Sequence, residues 1–381
     1  MGGRKKILLF ADWYEPGYKA GGPIRSCVNF AGYMREDYQV YVFTSDRDLG
    51  SAGPYEHIKV DEWHEKGQDL HVYYCSPEAL TWRNIRRQME ELRPDFIYLN
   101  SMFSVKYTIL PLLISRFGKR GATIILSPRG MLRSSAVQFK SFKKKIFLNC
   151  FRWFGFHRGV HFLVSDDTEA KDVGVYFGKQ AVATLIPNFP SALPEEPEMT
   201  GKERGRLSMI FVGRIHPIKG LDFLLKVLKE VEATVDLTLV GSLEDPAFWA
   251  TCKEMISGLP ANISVTYAGE MPNHELPAVT GRHHVFVLPT KGENFGHAIF
   301  EALALGKPVL ISDQTPWRGL EAVKAGWDLP LDRPELFREA IGQAAAFGQE
   351  EYDSWCGSTR DFVKNYIRQL NLKDEYQKLF S

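Results

Sequence analysis

The residue types best suited to chemistry gather in two stretches of the C-terminal half. In Phe211-Val212-Gly213-Arg214-Ile215-His216-Pro217-Ile218-Lys219-Gly220-Leu221-Asp222, two cations stand between an apolar run that reads as strand and a helix that opens after Gly220. A guanidinium grips a diphosphate bidentately, an ammonium acts as a point charge, and a helix N-terminus adds roughly half a positive charge. The segment reads as an anion site, against the blander alternative of a solvated loop whose cations do nothing. The second stretch is Lys291-Gly292-Glu293-Asn294-Phe295-Gly296-His297-Ala298-Ile299-Phe300-Glu301-Ala302-Leu303-Ala304-Leu305-Gly306-Lys307-Pro308-Val309. Gly296 would let backbone approach a ligand, while Gly306 and Pro308 stop the helix. Ala298, Ile299, Ala302 and Leu303 form its apolar stripe, which leaves Glu301 on another face with His297 one turn away. There Glu301 can accept hydrogen bonds from two ribose hydroxyls, and Glu293 can hold sugar hydroxyls. Taken alone, two glutamates in one long chain are common, and a surface glutamate usually only solvates its helix.

Such side chains need a frame that brings strand ends together. Short apolar runs alternate with helix-length periodic segments along the chain, the pattern of βαβ units. The spacing predicts strands at 6–11, 39–44, 70–74, 96–100, 122–126, 161–164 and 183–186. Pro187-Asn188-Phe189-Pro190 and Pro194-Glu195-Glu196-Pro197-Glu198 then break the rhythm with a composition that neither helix nor sheet favours. Beyond it strands are expected at 209–212, 236–240, 264–267, 285–288 and 308–311, with helices from about Leu221 and at 297–305. The expectation is an α/β protein of two tandem doubly wound, Rossmann-like parallel-sheet domains. They would comprise residues 1–194 and 208–354, joined by a linker at 195–207. A helical segment at 355–381 has no sheet of its own and is expected to pack back on the first domain. Ligands of such sheets bind beyond the carboxyl ends of the strands, so the domains are expected to face each other across a ligand cleft.

The combination of Gly213-Arg214 and Lys219, of Glu293, Gly296 and Glu301, and of Ala302-Leu303-Ala304-Leu305-Gly306-Lys307-Pro308-Val309 resembles glycosyltransferase family 4, the group 1 transferases of the GT-B fold. The likeness is firmest over 209–312 and reaches more loosely to Gly21-Gly22-Pro23. It implies a retaining, metal-independent, hexosyltransferase-type enzyme of surface-polysaccharide or glycan biosynthesis. Such an enzyme moves a sugar from a UDP- or GDP-linked donor to a hydroxyl of a saccharide or lipid-linked acceptor, with no cofactor beyond that co-substrate. It implies that Arg214 and Lys219 bind the donor diphosphate, Glu301 the ribose and Glu293 the transferred sugar, so that Glu293, Arg214 and Lys219 form the catalytic set. Gly213, Asn294, Phe295 and Gly296 would complete the donor loops. Backbone around Met271 would meet the base, and Gly21 and Gly22 would approach from the first domain. The chain departs from the family at Tyr98-Leu99-Asn100-Ser101, where a histidine often ends the fourth strand, and at Asn294, which replaces Pro or Gly. Two other classes stay open: a sugar phosphorylase or nucleotide-sugar epimerase on the same scaffold, and a non-catalytic nucleotide-sugar-binding protein.

Charge is unevenly spread. The net charge is +1, yet no acid occurs between Asp95 and Asp166, a segment holding Lys106, Arg116, Lys119, Arg120, Arg129, Arg133, Lys140, Lys143, Lys144, Lys145, Arg152 and Arg158. A segment so charged will seek anions. Arg129, at the end of the fifth strand, and Asn100, at the end of the fourth, are candidate acceptor contacts; a structural ion pair for Arg129 is the alternative. From Phe142 to Phe154 a basic amphipathic helix is expected, either core-facing or touching a membrane surface. No nucleic-acid motif accompanies the cations. Asp46-Arg47-Asp48 has a metal-binding look, but the arginine between the acids suits a solvated loop, and His216, His283 and His284 lack ligand spacing. The five cysteines form no CxxC pair, which argues against a disulfide framework or zinc site. The apolar run after Lys6 is too short for a secretory core and no stretch is long enough to span a bilayer, so a cytoplasmic location, peripheral at the inner membrane face if the basic helix docks there, is expected.

Overall fold

A computed structural model describes residues 3–118, 121–133, 141–193 and 200–381, with the side chains of 141–143 outside the description. The chain divides into two compact units: Met1–Phe189 together with Asn371–Ser381, and Pro190–Leu370.

The first unit runs β1 (Lys6–Phe10), α1 (Gly22–Met34), β2 (Gln39–Ser45), β3 (Trp63–Glu65), β4 (Leu70–Cys75), α2 (Trp82–Leu92), β5 (Phe96–Leu99), α3 (Leu110–Phe117), β6 (Thr123–Leu126), α4 (Ser141–Trp153), β7 (Val160–Val164), α5 (Asp167–Phe177) and β8 (Ala183–Leu185). Its sheet has the order β3-β4-β2-β1-β5-β6-β7-β8. Every pairing is parallel except β3 with β4, and β1 sits centrally with Ile7 opposite both Val40 and Phe96. Runs such as Ile7-Leu8-Leu9-Phe10 are buried, as expected for parallel strands covered on both faces. Helix starts are locally encoded: Thr81 Oγ1 accepts from Asn84 N–H at 3.2 Å, and Asp166 accepts from Glu169 N–H at 2.9 Å.

The second unit runs β9 (Arg206–Val212), α6 (Leu221–Leu228), β10 (Thr234–Val240), α7 (Pro246–Ser257), β11 (Ile263–Tyr267), α8 (Leu276–Gly281), β12 (Val285–Leu288), α9 (His297–Ala304), β13 (Val309–Ser312), β14 (Gly326–Leu329), α10 (Pro334–Ala346) and α11 (Gln349–Gln369). Six parallel strands lie in the order β11-β10-β9-β12-β13-β14. Strand order reverses at β9 and β12, whose outgoing loops carry the two stretches singled out above.

Three differences from the expected layout have physical causes. β3 and β14 go unread because each is short and at a sheet edge, with Trp63-His64-Glu65 half-polar and Gly326 opening the other. Residues 200–207, expected to be linker, are built into the second unit. β9 already begins at Arg206, and the buried Lys202 Nζ donates to the carbonyls of Glu203, Arg206, Ala345 and Phe347 at 2.8–3.1 Å. The C-terminal segment is two helices: α11 ends at Gln369, and α12 (Leu372–Leu379) follows. Of the segment 355–381 expected to pack on the first unit, α12 does so, whereas residues up to Leu370, with α11, belong to the second unit. Tyr376 stacks on Phe189 with centroids 4.3 Å apart, Phe380 lies 5.2 Å from Phe96, and Tyr38 Oη donates to Phe380 O at 3.2 Å.

Candidate functional site

The site is built where β9 and β12 end. Gly213 N–H donates to Val240 O at 2.9 Å and Ile215 N–H to Ser242 O at 2.8 Å, which fixes the loop carrying Arg214 against the exit of β10. His216 Nδ1 accepts from Ile218 N–H at 3.2 Å and closes a single 3-10 turn, Pro217–Lys219. Gly220 follows with φ 73°, in the left-handed region, and a Cβ there would run into the carbonyl oxygen of Pro289. Only glycine allows this loop to lie against the exit of β12. The two loops are then tied directly: Lys291 N–H donates to Ile218 O at 2.7 Å, and Thr290 Oγ1 to the same carbonyl at 3.1 Å.

That tie brings Lys219 to Glu293, 74 positions away, in an ion pair whose side chains are only 16% and 14% exposed. Arg214 Nη1 meets Glu244 Oε2 at 2.5 Å, a pair that is 38% and 39% exposed. The second loop is held by Glu293 N–H donating to Gln314 O at 3.0 Å and Trp317 Nε1–H donating to Phe295 O at 2.7 Å. Phe295 is buried edge-on against Trp317, with centroids 5.4 Å apart. Gly296, at φ 77°, turns the chain into α9, and Phe300 N–H donates back to Gly296 O at 3.0 Å. One turn into α9, Glu301 Oε1 accepts from Ser191 Oγ at 2.9 Å.

Arg214, Lys219 and Glu293 thus occupy adjacent loops at the carboxyl edge of one parallel sheet, with Glu301 on the helix leaving that edge. Each cation faces a carboxylate, Arg214 meeting Glu244 and Lys219 meeting Glu293. Glu301 is half-buried, but its expected companion His297 is not on the open face. His297 is buried, its ring 4.7 Å from Phe295, because the left-handed turn at Gly296 rotates the first helical residue inward. Met271 is half-buried and packs on the second unit's core, beside Gly269, whose carbonyl accepts from Gly241 N–H at 2.9 Å. Asn294 is likewise half-buried.

Gly21, Gly22, Asn100 and Arg129 lie in the first unit. Gly21, at φ 64°, is the N-cap of α1 and its carbonyl accepts from Ile24 and Arg25 N–H. Among the described residues Arg129 bonds neutral partners. Its Nε–H donates to Asn100 Oδ1 at 2.7 Å, Nη2–H to Tyr98 Oη at 2.6 Å, and Nη1–H to Asn188 Oδ1. The two candidate acceptor residues therefore hold each other. In the Asp46-Arg47-Asp48 segment, Asp46 pairs with Arg47, and Asp48 accepts from the N–H groups of Tyr18, Lys19 and Leu49 at 2.7–3.1 Å. Both carboxylates organise loops. Sequence reasoning missed Glu244 and Ser191. Glu244 had a legible signal, a carboxylate just past the end of β10 at the same sheet edge as Arg214; Ser191 had none, since only the folded unit sets it against α9.

Comparison with known proteins bears on this arrangement. The Glycosyl transferases group 1 family matches residues 206–346, the span that carries both loops. Over those residues the chain resembles the group 1 glycosyl transferases. An uncharacterized 41.2 kDa protein in the cps region of Klebsiella pneumoniae is 30% identical over 184 residues, and the D-inositol 3-phosphate glycosyltransferase of Frankia alni is 25% identical over 202 residues. The chain spans about half the length of these relatives, 47% of each. Among solved structures, Anabaena HepE in complex with UDP and glucose superposes with a TM-score of 0.69 at 15% identity, covering 100% of both chains. The fold is GT-B, and the segment that matches the group 1 model carries Arg214, Lys219, Glu293 and Glu301.

Proposed function

We propose that the protein is a retaining, metal-independent glycosyltransferase of hexosyltransferase type. It takes a sugar from a UDP- or GDP-linked donor to a hydroxyl of a saccharide or lipid-linked acceptor in glycan biosynthesis. The observation that carries the reading is the junction of the two loops: a guanidinium, an ammonium and a carboxylate converge at one sheet edge, and a second carboxylate stands on the helix that leaves it. Arg214 and Lys219 would hold the diphosphate, aided by the N-terminal end of α9. Glu301, released from Ser191 Oγ, would accept from the ribose hydroxyls. Glu293 would hold the sugar while keeping Lys219 in place. As the glycosidic bond to the diphosphate lengthens, negative charge grows on the leaving oxygen, and the two cations stabilise it more strongly than they do the ground state. Losing one such group typically costs about 10² to 10³ in rate. HepE, which was solved with UDP and glucose, is a structural relative consistent with this donor chemistry.

The test is incubation with UDP- and GDP-linked sugars plus a panel of saccharide acceptors, in buffer with a chelator, followed by detection of both free nucleoside diphosphate and elongated saccharide. Formation of both, with the α configuration of an α-linked donor preserved, is the expected result. Turnover without an acceptor would point to epimerase chemistry. Turnover that needs inorganic phosphate would point to a phosphorylase, and tight binding without turnover to a sensor; each would overturn the proposal.

A further inference from the structure

The basic segment of the first unit ends in a surface that the donor chemistry does not use. α4 was expected to present one broad apolar face, but the structure splits that face. Leu148 and Phe151 are buried, and Phe151 packs against Phe156 and Phe177 with centroids 5.6 and 5.5 Å away. Phe147 lies 5.2 Å from Phe103. The rest turn outward: Ile146 is 47% exposed, Trp153 83% and Phe154 58%, and the rings of Trp153 and Phe154 sit 5.3 Å apart. Arg116 Nη1 donates to Gly155 O at 2.9 Å, which brings the end of α3 alongside and adds Phe117, 76% exposed. Trp153 and Phe117 are the two most exposed large apolar side chains among the described residues. Nothing in the core of the unit requires them there.

Cations surround this cluster. Lys145 and Arg152 on α4, Arg158 after it and Arg116 on α3 are exposed. No acid occurs from Phe96 to Ser165. Of the acids in the neighbouring α5 segment, Asp166 is paired with Arg133, Asp172 lies in the field of the same arginine, Glu169 is buried and accepts from Gly130 N–H, and Asp167 is exposed. We infer that this end of the first unit docks on an anionic lipid surface, with Trp153, Phe154 and Phe117 inserted at the headgroup level and the cations over lipid phosphates. Indole and phenyl rings are at home in that interfacial layer, and an apolar cluster flanked by exposed cations matches it. A second copy of the chain fits poorly, because a two-fold contact would set the same cations against themselves. The inference stands independently of the transfer reaction.

The experiment is flotation of the full chain with vesicles of phosphatidylcholine alone and of phosphatidylcholine mixed with phosphatidylglycerol, at low and high salt. The chain should float with the anionic vesicles at low salt. From about 1 kcal/mol per cation near such a surface, Lys145→Gln with Arg152→Gln should weaken binding about thirtyfold. The triple change Phe117→Ser, Trp153→Ser and Phe154→Ser should abolish flotation. Both variants should keep the parent's melting temperature and UDP affinity, which separates lost docking from lost folding. Failure of the unaltered chain to float, or flotation that survives both sets of changes, would overturn the inference. So would a triple variant that changes the sedimentation coefficient of the lipid-free chain while leaving flotation intact, which would assign the patch to self-association.

Discussion

Replacing Lys219 probes the site most sharply, because the structure makes it do two things. Its ammonium is proposed to bind diphosphate, and in the unliganded protein it neutralises Glu293. An exposed ion pair contributes about 0–1 kcal/mol, whereas removing one member of a fully buried pair costs about 3–5 kcal/mol. With side chains 16% and 14% exposed, the pair falls between these limits. Lys219→Ala should therefore destabilise the second unit by about 2 kcal/mol, a fall of roughly 4–8 °C in melting temperature for a unit of this size. Glu293→Ala should cost less, about 1 kcal/mol, because the long lysine can swing its charge into water. In the double variant neither charge is left alone, so a double-mutant cycle in thermal or urea unfolding should give a coupling of about 1–2 kcal/mol. The ligand arm separates the partners: Lys219→Ala should weaken UDP binding at least about tenfold, worth 1.4 kcal/mol. Glu293→Ala should leave bare UDP binding equal or tighter while slowing transfer about 10² to 10³-fold. Single effects that add to within ~0.3 kcal/mol, or a Glu293→Ala loss in bare UDP affinity equal to that of Lys219→Ala, would refute the reasoning.

Other expectations follow from the same geometry. Because the Arg214–Glu244 pair is more than a third exposed, Arg214→Ala should barely move the melting temperature yet weaken UDP binding. Glu244→Gln should tighten UDP a few-fold in low salt, an advantage that titration calorimetry should find erased in high salt. Gly220→Ala should unfold the second unit at lower temperature, since its Cβ meets the Pro289 carbonyl at a positive φ. His284 accepts from Ser208 N–H at Nδ1 and sits 2.8 Å from Gly201 O through Nε2, and burial, its main cause, lowers its pKa to about 4. The unfolded chain, with an ordinary histidine near 6.5, then binds the extra proton first. Stability from this group is full above about pH 6.5 and is lost as pH falls towards 4, by up to about 3 kcal/mol. His284→Asn should flatten that part of the curve of melting temperature against pH.

Much of this frame was legible because parallel strands buried on both faces write themselves as uninterrupted apolar runs. Met209-Ile210-Phe211-Val212 and Val285-Phe286-Val287-Leu288 announce both strands and both loops of the site. The glycines at 220 and 296 were legible for the same reason, since each stands where a strand-end loop must turn into a helix. What sequence order hides is side-chain pairing across the sheet edge. Nothing in the spacing says that Lys219 meets Glu293 rather than water, or that Glu244 covers Arg214. Periodicity alone left α4 with two readings, core-facing or surface-docking. Leu148 and Phe151 turn to the core, whereas Trp153, at the last residue of the helix, remains in solvent.

The central claim is that one nucleoside diphosphate is held by Arg214, Lys219 and Glu301 together. A crystal structure of the protein grown with UDP, and in parallel with GDP, tests it most directly. The account predicts phosphate oxygens within hydrogen-bonding distance of Arg214 and Lys219, with Glu244 displaced and Glu301 turned from Ser191 to the ribose hydroxyls. Nucleotide bound away from these loops, with both ion pairs intact, would contradict it.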